Sequence, residues 1–217
     1  MKKIMFNDKY GLTTAVIEGR KTMTRRLMTM TLHKENGKDM TPVVPDDMFI
    51  ASDGTAHFQI GRKDYIVPKN NQPAYRVGDE VAIAQDYKTC WNYYKAQWES
   101  RNDPSDWHTP DAILGDAVED TKGWANKMFV KAEYMPHRIR ITGIKVERLQ
   151  DISEEDCLRE GIKKMEEGVP YRFDENGKIH LSADPRMLFA DLIDRISGRG
   201  TWQSNPWVFA YEFELVK

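Results

Sequence analysis

The sequence predicts an α+β fold, a small curved sheet or barrel made of many short strands with few helices. Three observations carry this. Two stretches alternate with the two-residue period of a half-buried strand. They are Arg138-Ile139-Arg140-Ile141-Thr142-Gly143-Ile144-Lys145-Val146-Glu147-Arg148-Leu149 and the run in which Trp207, Phe209, Tyr211, Phe213 and Leu215 alternate with smaller or polar residues. Two dipeptides, Asp53-Gly54 and Asn176-Gly177, lie between β-type runs and read as hairpin turns. The helical segments are short, and cap and stop residues bound them.

Taken in order, Asn7 or Asp8 caps a short helix over residues 12–18, with Gly19 as its stop. The polar stretch 29–47 reads as a loop. Met48-Phe49-Ile50, Ala56-His57-Phe58-Gln59-Ile60 and Tyr65-Ile66-Val67 read as strands, and Gly78-Asp79 turns the chain into another over residues 80–84. Residues 88–130 change character. Trp91, Tyr94 and Trp98 fall at helical spacing, and a polar stretch with Trp107 and Trp124 follows. This segment reads as a helical, aromatic-rich insertion. Its aromatics either pack against the parent domain or stack on bases. Gly143 marks a bulge in the long strand. Ser153 caps the next helix, Asp156 completes a capping box, and Ile152 with Cys157 forms the hydrophobic staple; Gly161 ends it. Asp184 as cap and Pro185 at the first helical position open a helix with Leu188, Leu192 and Ile196 on one face, ending near Gly198.

A chain of 217 residues buries a sizeable core and fits one domain with an insertion, read here at about 88–130, or a domain and a half. Its formal net charge of -2 argues against coating nucleic acid by bulk electrostatics, so any such binding comes from a local patch. No apolar run is long enough to span a membrane, and the first eight residues lack the apolar stretch of a signal peptide. Cys90 and Cys157 form no CxxC pair, which fits a reducing cytosol. The five histidines are scattered without an HExxH pattern. No metal or other cofactor is expected.

Two features carry chemistry. Gly19-Arg20-Lys21-Thr22-Met23-Thr24-Arg25-Arg26 packs four cations and two threonines into eight residues at a helix exit. Such a cluster binds anions, and the cations Arg20, Arg25 and Arg26 disfavour a further positive charge on Lys21. A lysine so perturbed beside the Thr24 hydroxyl is a base and nucleophile pair. A solvated basic turn is the other reading of the same residues. Glu160 is the second feature. It falls in the last turn of a short helix, against the negative end of the helix dipole, a placement that costs stability unless a cation lies nearby. A solvated, frayed helix end is the alternative there. The Lys21 cluster would supply the cation if the two segments meet in space.

The Gly19–Arg26 run, the Gly78-Asp79 strand entry, Val146-Glu147-Arg148-Leu149-Gln150-Asp151-Ile152-Ser153-Glu154-Glu155-Asp156 leading to Glu160-Gly161, and Asn205-Pro206-Trp207-Val208-Phe209 together resemble the ASCH domain, a PUA-like small β-barrel family linked to RNA. The resemblance is to the longer form common in phages and prophages. It spans residues 4 to 215, with the insertion outside it. It implies a single PUA-like domain in the cytoplasm of a bacterial host, with RNA, a modified nucleoside or DNA as partner. A bacterial branch of the family resembles an amidohydrolase that removes the acetyl group of N4-acetylcytidine. Its functional lysine, threonine and glutamate fall on Lys21, Thr24 and Glu160, with Arg20, Arg25, Arg26 and Arg138 as implied substrate or nucleic-acid contacts. A non-catalytic RNA- or DNA-binding module is the competing reading, and a phage protein that binds a host partner through the insertion is a third. The chain departs from the pattern after the Gly-Asp turn, where Ala84 and Gln85 stand in place of an Arg-Glu pair.

Overall fold

The two alternating stretches pair with each other. β9 (Arg138–Arg148) and β13 (Trp207–Val216) run antiparallel, with Trp207 opposite Arg148 and Val216 opposite Arg138. Gly143 pairs with Glu212 and Ile141 with Phe213, so Thr142 is the extra residue of the bulge expected at this point. β2 (Met23–Leu27) lies antiparallel on the far side of β13, and β8 (Glu80–Ile83) on the far side of β9. β1 (Lys2–Ile4) adds to β8 in parallel. The computed structural model describes residues 1–216 apart from 29–31, 35–40, 44, 102, 104–107, 116–120 and 166–169; Trp107 lies outside the described residues.

The protein is mixed α and β. Its five-stranded sheet has the order β1-β8-β9-β13-β2, and β1 and β2 are its two edges. Among the described residues the sheet is therefore open, where the sequence also allowed a barrel. The Asp53-Gly54 hairpin belongs to a three-stranded meander of β5 (Asp47–Ile50), β6 (Ala56–Ile60) and β7 (Lys63–Ile66), and β5 lies beside β9. The stretch 29–47, expected as a loop, holds a short two-stranded ribbon of β3 (Leu32–Lys34) and β4 (Thr41–Val43). Its polar composition hid a pairing only three residues long, and Pro42 is tolerated because a two-stranded ribbon has only edge strands.

Short helices cover the sheet. α1 (Leu12–Ile17) follows a 3-10 turn, Asp8–Tyr10, and Asn7 caps that turn rather than the helix itself. α4 (Glu154–Arg159) is capped by Ser153, whose Oγ accepts from the Asp156 N–H at 3.1 Å. Ile152 and Cys157 are both buried in the main core, as a staple requires. The remaining strands form a second three-stranded sheet of β10 (Lys163–Lys164), β11 (Tyr171–Glu175) and β12 (Lys178–Ser182), with Asn176 and Gly177 at the turn. Both turn residues have positive φ, 46° and 86°, the backbone that a two-residue hairpin of this kind needs. α5 (Pro185–Ser197) buries Leu188, Phe189, Leu192 and Ile193 in the main core, which α1, the sheet, the meander and Phe173 of β11 complete.

The insertion carries α2 (Tyr87–Arg101) and α3 (Pro110–Leu114). It has a small core of its own, in which Tyr87, Cys90, Leu114 and Val130 meet Ala82 and Ala84 from the end of β8. Trp91, Tyr94 and Trp124 pack on this cluster, and the Trp91 indole N–H donates to Asp111 at 3.0 Å. These aromatics serve packing rather than an open stacking platform. The Lys3 ammonium of β1 ties the end of the insertion down by donating to the carbonyls of Lys127, Met128 and Val130.

Candidate active site

α1 ends at Ile17, and the chain reverses through Gly19, whose φ is 75°. The Arg20 and Lys21 N–H groups both donate to the Ala15 carbonyl at 2.9 Å, which closes the helix end and launches β2. The reversal turns Lys21 inward. Its ammonium donates to Glu160 Oε2 at 2.6 Å and to the Glu160 backbone carbonyl at 2.8 Å. Lys21 thus caps the C-terminal end of α4 and pairs with the carboxylate placed there, in a setting where the two side chains are 2% and 6% exposed. The cation that the position of Glu160 demanded is supplied.

Gly161 makes this approach possible. Its φ of 113° is closed to most L-residues, and a Cβ there would stand 3.1 Å from Leu12 of α1. The Lys21 stem is next to it, at 3.8 Å. The backbone adds a further tie, the Thr22 N–H donating to the Arg159 carbonyl at 2.9 Å.

Arg25 holds the acid side of the site. Its Nη1 donates to Glu160 Oε1 at 3.1 Å, its Nη2 to Asp156 Oδ2 at 2.7 Å and its Nε to Glu147 Oε1 at 2.7 Å. Lys145 joins the network, 3.0 Å from both Glu147 Oε2 and Asp156 Oδ2. The Arg25 guanidinium is 1% exposed. Burial works against its charge, and Glu160 and Glu147 outweigh that, so its pKa is raised. Asp156, expected to serve a capping box through its side chain, spends its carboxylate on Arg25, Lys145 and Arg159 instead. Burial opposes its charge, but hydrogen bonds from Arg25 and Lys145 hold the carboxyl below its ordinary value.

Lys21 is lowered from 10.5 chiefly by burial. Glu160 counters this, and Arg26 and Arg25 add to the lowering. The direction matches the sequence expectation, but the main cause differs, because the lysine is internal. Arg20 takes no part: it is exposed and pairs with Glu18 at 2.5 Å.

A cavity of about 710 Å³ opens beside these residues. Lys21, Thr24, Arg25, Arg26 and Glu160 all line it, so the lysine, threonine and glutamate that the resemblance singled out converge on one hollow. An apolar wall is formed by Phe6 and Leu12, which lie beside Lys21 and Gly161, with Phe189, Leu192, Ile193 and Ile196 of α5. The Phe6 ring lies between two cations, 5.8 Å from the Lys21 nitrogen and 5.8 Å from the Arg26 guanidinium. Asp8, Lys9 and Lys127 also reach the cavity. Arg138 does not. It stands at the start of β9, nine residues before Glu147 and so about 30 Å along the strand.

Sequence reasoning missed Glu147, Asp156 and Lys145 as a network, as well as Phe6, Lys127 and the α5 wall. The α5 wall had a signal, since Phe189, Leu192 and Ile193 recur at helical spacing. Lys127 had none, because its partners Phe6 and Asp8 lie about 120 residues away in sequence. Gln85, at the departure from the family pattern, is buried with its Oε1 unpartnered and does not line the cavity.

In comparisons with family models, curated proteins and solved structures, nothing matches the chain. Among the described residues no group of three or more His, Cys, Asp or Glu is placed to hold a metal ion, and no helix is long and apolar enough to cross a membrane.

Chemically, the site brings together a buried amine and a buried carboxylate in one ion pair, a hydroxyl in the same hollow, and two arginines on its wall. Transfer of the proton from the amine to the carboxylate would present a base and an acid together.

Proposed function

We propose that the protein is a nucleoside-recognising amidohydrolase of the ASCH type, acting on N4-acylated cytosine. One observation supports this above the others: Lys21 and Glu160, from distant segments, meet at 2.6 Å on the wall of a cavity that Thr24 also lines. The open five-stranded sheet, with α4 and α5 beside it, is read accordingly as the counterpart of a PUA-like barrel.

In this reading the planar base lies against the apolar wall and its acylated amine faces Lys21 and Glu160. The neutral Lys21 amine takes a proton from the Thr24 hydroxyl or from a water held by it. The oxygen attacks the acyl carbon, and the ammonium so formed on Lys21 stabilises the negative charge on the carbonyl oxygen. Glu160 gives its proton to the exocyclic nitrogen as the C–N bond breaks, and Lys21 returns its proton to Glu160 across their hydrogen bond. Arg25 touches no substrate and keeps the Glu160 carboxyl in position. Where Thr24 is the attacking group, a water deprotonated by Lys21 then cleaves the acyl-threonine ester and the hydroxyl regains its proton; by either route the balance is one water consumed, its hydroxyl on the acyl product and its proton on the amine.

The test is to incubate the protein with N4-acetylcytidine and follow deacetylation by ultraviolet absorbance. Turnover that disappears in Lys21→Met and Glu160→Gln, both checked for native fold, supports the reading. Absence of turnover, or turnover that both variants retain, rejects it in favour of a binding module.

A further inference from the structure

We propose that the mouth of the cavity is a phosphate subsite, formed by Arg26 and by Lys127 from the insertion, so that the natural ligand is a nucleotide rather than an uncharged nucleoside. This rests on the nucleoside reading of the pocket and narrows it.

The charge on the wall is uneven. Five cations line the cavity (Lys9, Lys21, Arg25, Arg26 and Lys127) against two carboxylates, Asp8 and Glu160, in a chain of net charge -2. Most of these cations are committed. Lys21 and Arg25 face Glu160, and Lys9 pairs with Glu175 at 2.6 Å. Arg26 differs. Its guanidinium donates to the Met5 carbonyl at 2.6 Å, lies over Phe6, and has no carboxylate partner among the described residues. A guanidinium has five N–H donors in a fork that suits a phosphate, and most of them remain for a ligand.

Lys127 lines the same cavity. Its ammonium donates to the Phe6 carbonyl at 2.5 Å and to Asp8 Oδ2 at 2.7 Å. Arg26 and Lys127 thus donate to consecutive carbonyls, those of Met5 and Phe6, and both line the cavity. The Lys127 side chain is 15% exposed while its partner Asp8 is 64% exposed. The lysine is held by the fold, and the Asp8 carboxylate, whose other oxygen accepts from the Thr13 hydroxyl, faces water. Three bonds from Lys3 fix the segment that carries Lys127. The insertion is thus a working part of the pocket. With the base against the apolar wall and its amine at Lys21, a phosphate on the sugar would fall toward these two side chains.

The test is calorimetric titration of the full chain with cytidine, cytidine 5′-monophosphate and inorganic phosphate. The monophosphate is expected to bind at least about tenfold tighter than cytidine, the effect of one charge-assisted contact. That advantage should fall to near unity in the double variant Arg26→Gln/Lys127→Gln, persist in Lys127→Arg, and shrink with added salt in the unmodified protein. The salt series keeps the proposal testable if the double variant does not fold. A trinucleotide with central cytidine that binds tighter than the mononucleotide assigns the phosphate to a strand; weaker or equal binding assigns it to a free nucleotide, and either supports the subsite. Equal affinity for cytidine and its monophosphate, no binding of the monophosphate, an advantage insensitive to salt, or an advantage that survives in the double variant overturns it. The two proposals fail separately. Phosphate preference without deacetylation leaves the subsite and removes the hydrolase, and deacetylation without phosphate preference does the reverse.

Discussion

Lys21 and Glu160 are 139 residues apart in sequence and 2.6 Å apart in space, both buried. Removing one member of such a pair strands a charge in a medium that solvates it poorly. Lys21→Met and Glu160→Gln are each expected to cost about 3–5 kcal/mol of unfolding free energy. The double variant is expected to cost less than the sum, because neither charge is then left alone. Chemical denaturation of the four proteins reads this cycle directly. Additive costs would mean that the pair is not coupled.

Arg25 serves three carboxylates at once, and its fork geometry is what allows this. Arg25→Lys offers a point charge that cannot reach Glu147, Asp156 and Glu160 together. It is expected to lose about 2–4 kcal/mol of stability, nearly as much as Arg25→Met. A thermal melt of Arg25→Lys that matches the unmodified protein would show the three simultaneous contacts to be unimportant.

The carboxyl of Asp156 is held below its ordinary 3.8, with burial opposing its charge and the bonds from Arg25 and Lys145 outweighing that. Asp79 and Asp174 are lowered as well, the first mainly by the Arg76 N–H and the second mainly by Lys163. In each case the unfolded chain binds the proton more readily. The stabilisation is therefore complete above about pH 4 and is lost as pH falls through the lower, folded values. Urea midpoints taken down the acid range should drop steeply below that pH. In Asp156→Asn the neutral-pH stability should be lower and the acid loss shallower.

Lys21 carries the opposite sign for catalysis. Burial pulls it below 10.5, Glu160 resists, and Arg26 and Arg25 add to the fall. The reaction needs the neutral amine and the protonated carboxyl together, one proton on the pair, so kcat/KM for N4-acetylcytidine falls as pH rises through this lowered value and that proton is lost. Arg26→Gln removes one of the cations that depress it, so the limb should move to higher pH. A limb that stays in place would assign it to another group.

How far the sequence reached depends on the range of the interactions. Local signals carried well: the Asn176-Gly177 turn, the Ser153 cap, the Asp184-Pro185 helix start and the bulge at Thr142-Gly143 all depend on neighbours in the chain. The partnership of Lys21 with Glu160 was legible only as an expectation, from a carboxylate placed against its own helix dipole. The surroundings were not legible. Whether Arg25 meets solvent or Glu147 depends on the pairing of β2 with β13 and of β13 with β9, a tertiary fact. The sheet edges were likewise open to either outcome, because alternation reports a buried face and not whether the last strand finds the first.

Both cysteines are buried, and burial pushes each thiol up to about 12. Thiolate is the reactive form, so neither should react with a thiol reagent in the native protein near pH 8. Both should react once the chain is unfolded. Fast native labelling of Cys90 would mean that the insertion opens away from β8, because Cys90 sits between them in the smaller core.

That union can be probed at one atom. The Gly123 carbonyl accepts from the Tyr87 N–H at 2.9 Å, and a Cβ at this position would stand 2.5 Å from the Tyr87 ring and 3.3 Å from Val130. The ring is buried in the small core and cannot turn aside without disturbing Ala82 and Ala84, which end the strand paired with β1 and β9. Gly123→Ala is therefore expected to destabilise the protein by about 1–3 kcal/mol, the usual cost of overpacking. The loss should appear in one cooperative transition shared by the near-ultraviolet signal of the tryptophans and the far-ultraviolet signal of the backbone. Two separate transitions would show instead that the insertion unfolds by itself, and the Lys127 contact to the cavity would then be an incidental one.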